Sequence, residues 1–411
     1  MNAQATDTRP RILRLINEVR DYAWGSPTAI PELLGVPPTG EPVAELWMGA
    51  HPDEPSRWAD DPAHPGLDEL IASDPQRFLG SAVLSRFGPQ LPFLLKVLAP
   101  DKCLSLQVHP NAEQAQAGYA DEERRGVPRS APERNYADPN HKPELLCALT
   151  AVDALCGFRP ISETVRLFDA LIAVGVIELA AYRDLLAAED GLRATFTTML
   201  TLPPEPRRAL LNCVVAGCKK LDADGGEWAS AAHASLLAAH DFPGDIGAVL
   251  ALLLNHVSLA PGQAIYLGAG NVHAYLRGVG VEILANSDNV LRCGLTPKHI
   301  DVPELLRIAD FTPLSEPYWQ PREVDRHTRL FEVPVPDFRL RLLTLDGGAD
   351  SVEVELDGPA ILLNTSGAMT AAVGDEVVDL RRGASIFVTA GDDTVVRVSG
   401  AGTAFMATAG L

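Results

Sequence analysis

At 411 residues the chain is too long for one simple core, so two or three domains are expected. Its 46% hydrophobic and 21% charged content reads as an ordinary soluble globular protein. A formal net charge of −20 argues against nucleic acid as a partner and makes an anionic small molecule awkward unless local cations override it.

No charge-free apolar run reaches the ~18–20 residues of a membrane span, and the longest candidate, Ile246 to Leu254, suits a buried helix. The first residues include polar Thr6, Asp7, Thr8 and Arg9, so no signal peptide is expected. Cys103, Cys147, Cys156, Cys213, Cys218 and Cys293 form no CxxC pair. They read as scattered reduced thiols of a cytoplasmic protein, neither disulfide partners nor zinc thiolates.

In chain order, Ile12 to Val19 opens with alternating character and the turn Trp24-Gly25-Ser26-Pro27 follows. Glu45-Leu46-Trp47-Met48-Gly49 reads as a strand and Leu67 to Phe87 as a helical excursion. Pro92 to Leu98 is an apolar strand, separated by the turn Ala99-Pro100-Asp101-Lys102 from a second strand holding Ser105-Leu106-Gln107-Val108-His109-Pro110. Residues two apart in a strand share a face, so Gln107 and His109 can aim one oxygen and one imidazole at a common point.

Residues 111–143 are polar and rich in Gly and Pro, a long connection that suits a lid or binding loop. It ends at His141-Lys142-Pro143-Glu144. From Ser162 to about Val257 apolar residues recur at helical spacing, which predicts five or six helices in an inserted domain.

Beyond Pro261-Gly262 the β character returns, and with it an internal repeat. Gly262-Gln263-Ala264-Ile265-Tyr266-Leu267-Gly268-Ala269-Gly270 aligns with Gly383-Ala384-Ser385-Ile386-Phe387-Val388-Thr389-Ala390-Gly391, a pattern that suits small barrels of jelly-roll type. Three residues later the first copy has His273 and the second Thr394, and no histidine follows His327. The first barrel could therefore hold a metal, and the second, without the imidazoles, is expected to be structural.

Gln107, His109, Glu144 and His273 together make a mixed nitrogen and oxygen set that suits zinc with one position open. Taken singly, a histidine after an apolar strand is more often an ordinary core or surface residue, and glutamine is an uncommon zinc ligand. The remaining histidines, His51 among them, sit mostly in loops or on helices and carry no assigned role, with His141 the nearest exception. A second constellation holds Glu282, Asp288, Arg292 and Lys298. Its bland reading is a solvated turn between strands; its functional reading is two cations that clamp a phosphate, with carboxylates that handle protons.

At these residues the chain resembles the type I phosphomannose isomerases, zinc enzymes of the cupin class. The matching segments are Tyr22-Ala23-Trp24-Gly25-Ser26, Glu45 to Gly49, Phe93 to Leu98, Leu104 to Pro110, His141 to Glu144, Asn271-Val272-His273-Ala274-Tyr275 and Ser287 to Lys298. They occur in the family's order. Ala23 and Val272 stand where the family more often has proline, which affects backbone stiffness more than chemistry. Beyond about residue 310 the resemblance fades.

The resemblance implies a mainly β fold of two cupin-type jelly-roll barrels with a helical insert. The expected division is 1–160 with 259–325 for the catalytic barrel, 161–258 for the insert and 326–411 for a metal-free barrel. It implies one zinc ion per chain on Gln107, His109, Glu144 and His273, and a catalytic Arg292. Trp24, Glu45, Lys96, Ser105, Lys142, Tyr275, Glu282, Asp288 and Lys298 match residues lining the family's pocket.

The implied reaction interconverts mannose 6-phosphate and fructose 6-phosphate through an enediol. Arg292 is expected to stabilise the enediolate. Glu282, Asp288, Glu45 and Lys96 are unranked candidates for the proton carrier, beside a water on the metal. Some of Ser105, Lys142, Arg292 and Lys298 are expected to hold the phosphate, so the two roles of Arg292 compete. The expected partner is a small sugar phosphate, with neither nucleic acid nor membrane; the oligomeric state is left open, a monomer included. The alternatives are a sugar-phosphate-binding regulator without turnover and a cupin oxygenase using iron.

Overall fold

A computed structural model describes residues 10–391 and 394–411, so the polar run Thr6 to Arg9 lies outside the described residues. The chain is mainly β. Strands β1 (Ile12–Ile16), β2 (Glu18–Arg20), β3 (Glu45–Met48), β4 (Arg57–Trp58), β5 (Phe93–Leu98), β6 (Leu106–Val108), β7 (Glu144–Ala148) and β8 (Val152–Phe158) come first. After a helix-rich segment follow β9 (Leu254–Leu259), β10 (Ala264–Leu267), β11 (His273–Arg277), β12 (Gly280–Ala285) and β13 (Leu291–Gly294). The last group is β14 (Tyr318–Trp319), β15 (Arg322–Glu323), β16 (Thr328–Phe331), β17 (Arg339–Leu356), β18 (Ala360–Val373), β19 (Glu376–Arg381), β20 (Ser385–Val388) and β21 (Thr394–Thr408).

Among the described residues these strands form three sheets. A seven-stranded sheet runs β14-β10-β7-β12-β5-β3-β2 and a five-stranded sheet runs β13-β6-β11-β8-β9. A nine-stranded sheet runs β15-β16-β17-β21-β18-β20-β1-β4, with β19 on β18. The first strand thus pairs with the C-terminal region, Leu13 lying opposite Phe387.

The seven-stranded sheet is buried on both faces, and strict alternation separates two environments. Leu46, Leu95, Val97, Leu145, Cys147, Val281 and Ile283 share one core with Phe331, Leu340, Ile361, Phe387 and Phe405 of the nine-stranded sheet. The alternate residues turn the other way. Leu98, Leu146 and Ala148 join Ala154, Cys156, Val257 and Tyr275 of the five-stranded sheet in a second core. Polar Glu45, Lys96, Glu144 and Glu282 occupy that same side farther along, which is where the site forms.

Between β8 and β9 run helices Ile161–Ala173, Ala180–Leu186, Gly191–Leu200, Pro204–Asp224, Ala229–Asp241 and Gly247–Leu250. Their Leu167, Phe168, Leu171, Phe196, Leu210 and Val214 pack with Leu106, Val108, Leu155, Ala274 and Leu291, covering the outer face of the five-stranded sheet. No helix among the described residues is long and apolar enough to cross a membrane.

Two expectations change. The stretch Ile246 to Leu254 is only briefly helical; after Gly247–Leu250 comes a 3₁₀ turn, Ala251–Leu253, and Leu254 opens β9. A run buried all round has no period to tell helix from strand. The 111–143 connection begins with the helix Ala112–Arg125, started by an Asn111/Gln114 capping box and ended by Gly126 in the left-handed region. Only Ala115 and Glu122 of that helix are buried, so it carries no apolar stripe to read.

The repeat is reproduced in register. β10 and β20 start two residues after Gly262 and Gly383, whose φ values are 82° and 80°. His273 and Thr394 each open the following strand, β11 and β21.

Candidate metal centre and anion pocket

The site lies where the polar faces of the two smaller sheets meet. In the five-stranded sheet Gln107 is opposite both His273 and Arg292 across adjacent ladders, so all three side chains share one face. In the seven-stranded sheet Glu282 is opposite Lys96, and Lys96 is opposite Trp47. Glu144 opens β7 opposite Leu284 of β12. His109 follows β6 directly and is fully buried.

His109, Glu144 and His273 bring one ligand atom each to within 4.8 Å of one another. Nε2 of His109 is 3.2 Å from Glu144 Oε1, and Nε2 of His273 is 3.5 Å from Glu144 Oε2. Each imidazole uses its other nitrogen on a backbone carbonyl. His109 Nδ1 donates to Asn289 O at 2.7 Å and His273 Nδ1 to Asn271 O at 2.9 Å. That bond sets the tautomer and turns an Nε2 lone pair inward.

Both Nε2 atoms and Glu144 Oε2 are buried without a hydrogen-bond partner. Burial pushes His109 down to about 4, against the pull of the Glu144 charge, so its imidazole is neutral at pH 7. Lone pairs facing a carboxylate repel one another; a divalent cation between them turns the repulsion into binding. Two imidazoles, a carboxylate and the neighbouring Gln107 fit zinc.

A chain of charges extends from this cluster. Lys142 Nζ is 3.4 Å from Glu144 Oε1. Burial pushes the Glu144 carboxyl up, but His109 and Lys142 outweigh it and hold the group well below the usual range. Tyr275 OH donates to Glu282 Oε1 at 2.9 Å. Burial first, and the Glu144 charge second, push Glu282 up to about 8. Lys96 lies over the Trp47 ring, 4.4 Å from its centroid, with Nζ 3.4 Å from Glu45 Oε2. Burial disfavours its charge, yet Glu45, Glu282 and Glu144 prevail and raise its pKa. Trp47 Nε1 donates to Glu45 Oε2.

Arg292 and Lys298 form the cationic side. The Arg292 charge, then burial, lowers the Lys298 pKa, and burial lowers that of Arg292. Neither has an ion-pair partner among the described residues. Two adjacent unpaired cations in an acidic protein make a place for an anion. Ser105 is half-buried two residues before Gln107. Trp24 is half-buried against the apolar cluster that holds Leu98 and Tyr275. Asp288 lies on the rim, its backbone N–H donating to Asp138 Oδ2 at 2.7 Å.

Two residues had no role in the sequence reading. Asn289 is fully buried; its Oδ1 accepts from the N–H groups of Ala137 and Asp138, and its Nδ2 donates to the carbonyls of Asp138 and Asn140. It thereby ties the segment leading to Lys142 and Glu144 onto the backbone that orients His109. His51, left aside as a loop histidine, is 3% exposed and touches Asp288. His141 reaches Asp337 of the C-terminal region, its Nε2 3.0 Å from the carboxylate.

Known proteins resemble this chain over most of its length. Residues 12–161 match the family described as phosphomannose isomerase type I, catalytic domain. The chain is 40% identical over 391 residues to mannose-6-phosphate isomerase of Escherichia coli strain K12, covering 93% of this chain and 96% of the relative. It is 33% identical over 417 residues to the Homo sapiens enzyme of that name, covering 95% and 96%. A zinc-bound mannose 6-phosphate isomerase structure superposes with a TM-score of 0.89 at 38% identity, covering 98% of this chain and 100% of that one. A mutant of phosphomannose isomerase from Salmonella typhimurium superposes with a TM-score of 0.89 at 37% identity, with the same coverage.

Proposed function

The chain belongs to the type I phosphomannose isomerases, and from that premise we propose that it interconverts mannose 6-phosphate and fructose 6-phosphate through an enediol, with one zinc ion per chain. The observation that carries the reading is the buried His109–Glu144–His273 cluster, whose inward atoms lack hydrogen-bond partners. The ligand set we assign is Gln107, His109, Glu144 and His273.

Zinc at this position supplies Lewis acidity to the neighbouring sugar oxygens. The protein side chains do the rest. An aldose–ketose exchange moves a proton between C2 and C1, and negative charge develops on oxygen as it does so. We assign stabilisation of that charge to Arg292, which shares the sheet face of Gln107. Lys298, beside Arg292, is then the first holder of the phosphate, with Lys142 and Ser105 as further candidates. This arrangement relieves the competition between the two roles of Arg292.

Proton movement is assigned to the row Glu45, Lys96 and Glu282 and to the rim residue Asp288. Glu45 lies against Lys96 and favours its charge, while Tyr275 donates to Glu282 across the ladder from it. Trp24 completes the pocket wall. The divisions 1–160 with 259–325, 161–258 and 326–411 remain our working domains. The six free cysteines support a reducing, cytoplasmic setting.

Neither alternative draws support from the matched relatives, which bear the isomerase name. Gln107 and the Arg292/Lys298 pair also count against an iron oxygenase. The test replaces His273 with Ala. Zinc content and turnover of mannose 6-phosphate in a coupled assay are expected to fall together in a protein that still unfolds cooperatively. Wild-type turnover in that variant removes the metal centre from the reaction.

A further inference from the structure

His51 sits in the tight loop after β3, where Gly49 N–H donates to Ser56 Oγ and Ser56 N–H donates to Gly49 O. It is 3% exposed and stands edge-on to Trp47, with ring centroids 4.9 Å apart. Its Nδ1 accepts the backbone N–H of Asp53 at 3.2 Å. A neutral imidazole that accepts at Nδ1 carries its hydrogen on Nε2. That Nε2 faces Asp288 Oδ1 at 3.3 Å.

The loop bearing Asp288 has no need of His51 to hold its backbone. Asp288 N–H donates to Asp138 Oδ2, Ser287 Oγ donates to Asp138 Oδ1, and Asn289 binds four backbone groups of the facing segment. What His51 adds is a direction for the carboxylate itself. Its other charged neighbours do not fix it: Arg129 is 59% exposed and 3.8 Å from Oδ2, and the Asp53 carboxylate, within 4.8 Å, is a like charge.

We propose that His51 is a positioning residue that points the Asp288 carboxylate into the pocket by donating Nε2–H to it. The inference rests on the reading of Asp288 as part of the reacting pocket. It concerns one donor, so it separates the two nitrogens of the ring. Glutamine places an amide N–H near the site of Nε2, whereas asparagine replaces only the Nδ1 acceptor.

The experiment measures kcat, KM for mannose 6-phosphate, zinc content and thermal unfolding for H51N, H51Q, D288N and the double variant H51N/D288N. H51N is expected to lose about tenfold in kcat with zinc retained. H51Q should regain most of that loss. In the D288N background, H51N should change kcat by less than about twofold, because the carboxylate that His51 directs is no longer there. Wild-type kcat in H51N overturns the proposal. So does a full tenfold loss added to D288N, or H51Q as poor as H51N at equal thermal stability. D288N with wild-type kcat removes Asp288 from the pocket machinery and the proposal with it. An impaired D288N beside a silent H51N overturns the positioning role alone.

Discussion

A metal ligand is useful only when something holds it, and here much of the holding is done by Asn289. Its carbonyl accepts from His109 Nδ1 across a sequence separation of 180 residues. Its side chain binds Ala137, Asp138 and Asn140 at 2.7 to 3.2 Å. Asn289→Ala leaves those backbone groups short of partners, at about 1–3 kcal/mol of stability. It also loosens the carbonyl that orients His109, so zinc affinity should fall about 10–100-fold, measured by chelator competition. Unchanged affinity would show that His109 is oriented without it. Gln107 and His109 were legible as a pair because residues two apart along a strand share a face, whereas Glu144 and His273 came from distant segments and were picked out by their motifs. Asn289 and His51 were not, since both act through contacts that only the fold creates.

At the level of elements, one seven-stranded sheet serves two masters. Leu145 and Ile283 face the C-terminal sheet, while Glu144 and Glu282 beside them face the metal centre. Loss of packing on the first face should therefore weaken the molecule without unmaking the site. Phe405, 1% exposed in the shared core, is the place to ask. Phe405→Ala is expected to destabilise by about 3–5 kcal/mol in urea unfolding, with zinc content per folded chain unchanged. Loss of zinc from the folded variant would mean that the two faces are coupled. β10 and β20 were legible as a repeat because a positive-φ glycine and an apolar tetrapeptide recur at one spacing. The helix Ala112–Arg125 was not, because a largely exposed helix leaves caps as its main signature. The strand pairing of Leu13 with Phe387 was equally hidden, since sheet order is a tertiary choice.

Over the whole molecule, a net charge of −20 surrounds a pocket with an unpaired Arg292 and Lys298. The acidic exterior repels an anionic sugar phosphate at a distance, so under the proposed function local cations, Lys298 first, have to offset that repulsion at contact. Among the described residues the C-terminal sheet adds nothing to the cluster, yet it backs the sheet that carries Glu144, and Asp337, just before β17, reaches His141. Under the proposed function, activity depends on one ion in one place. The direct measurement is the coupled mannose 6-phosphate assay on protein stripped by a chelator and then titrated with zinc. Turnover should vanish on stripping and return in proportion to zinc, saturating near one ion per chain. Full turnover in demonstrably zinc-free protein would contradict it.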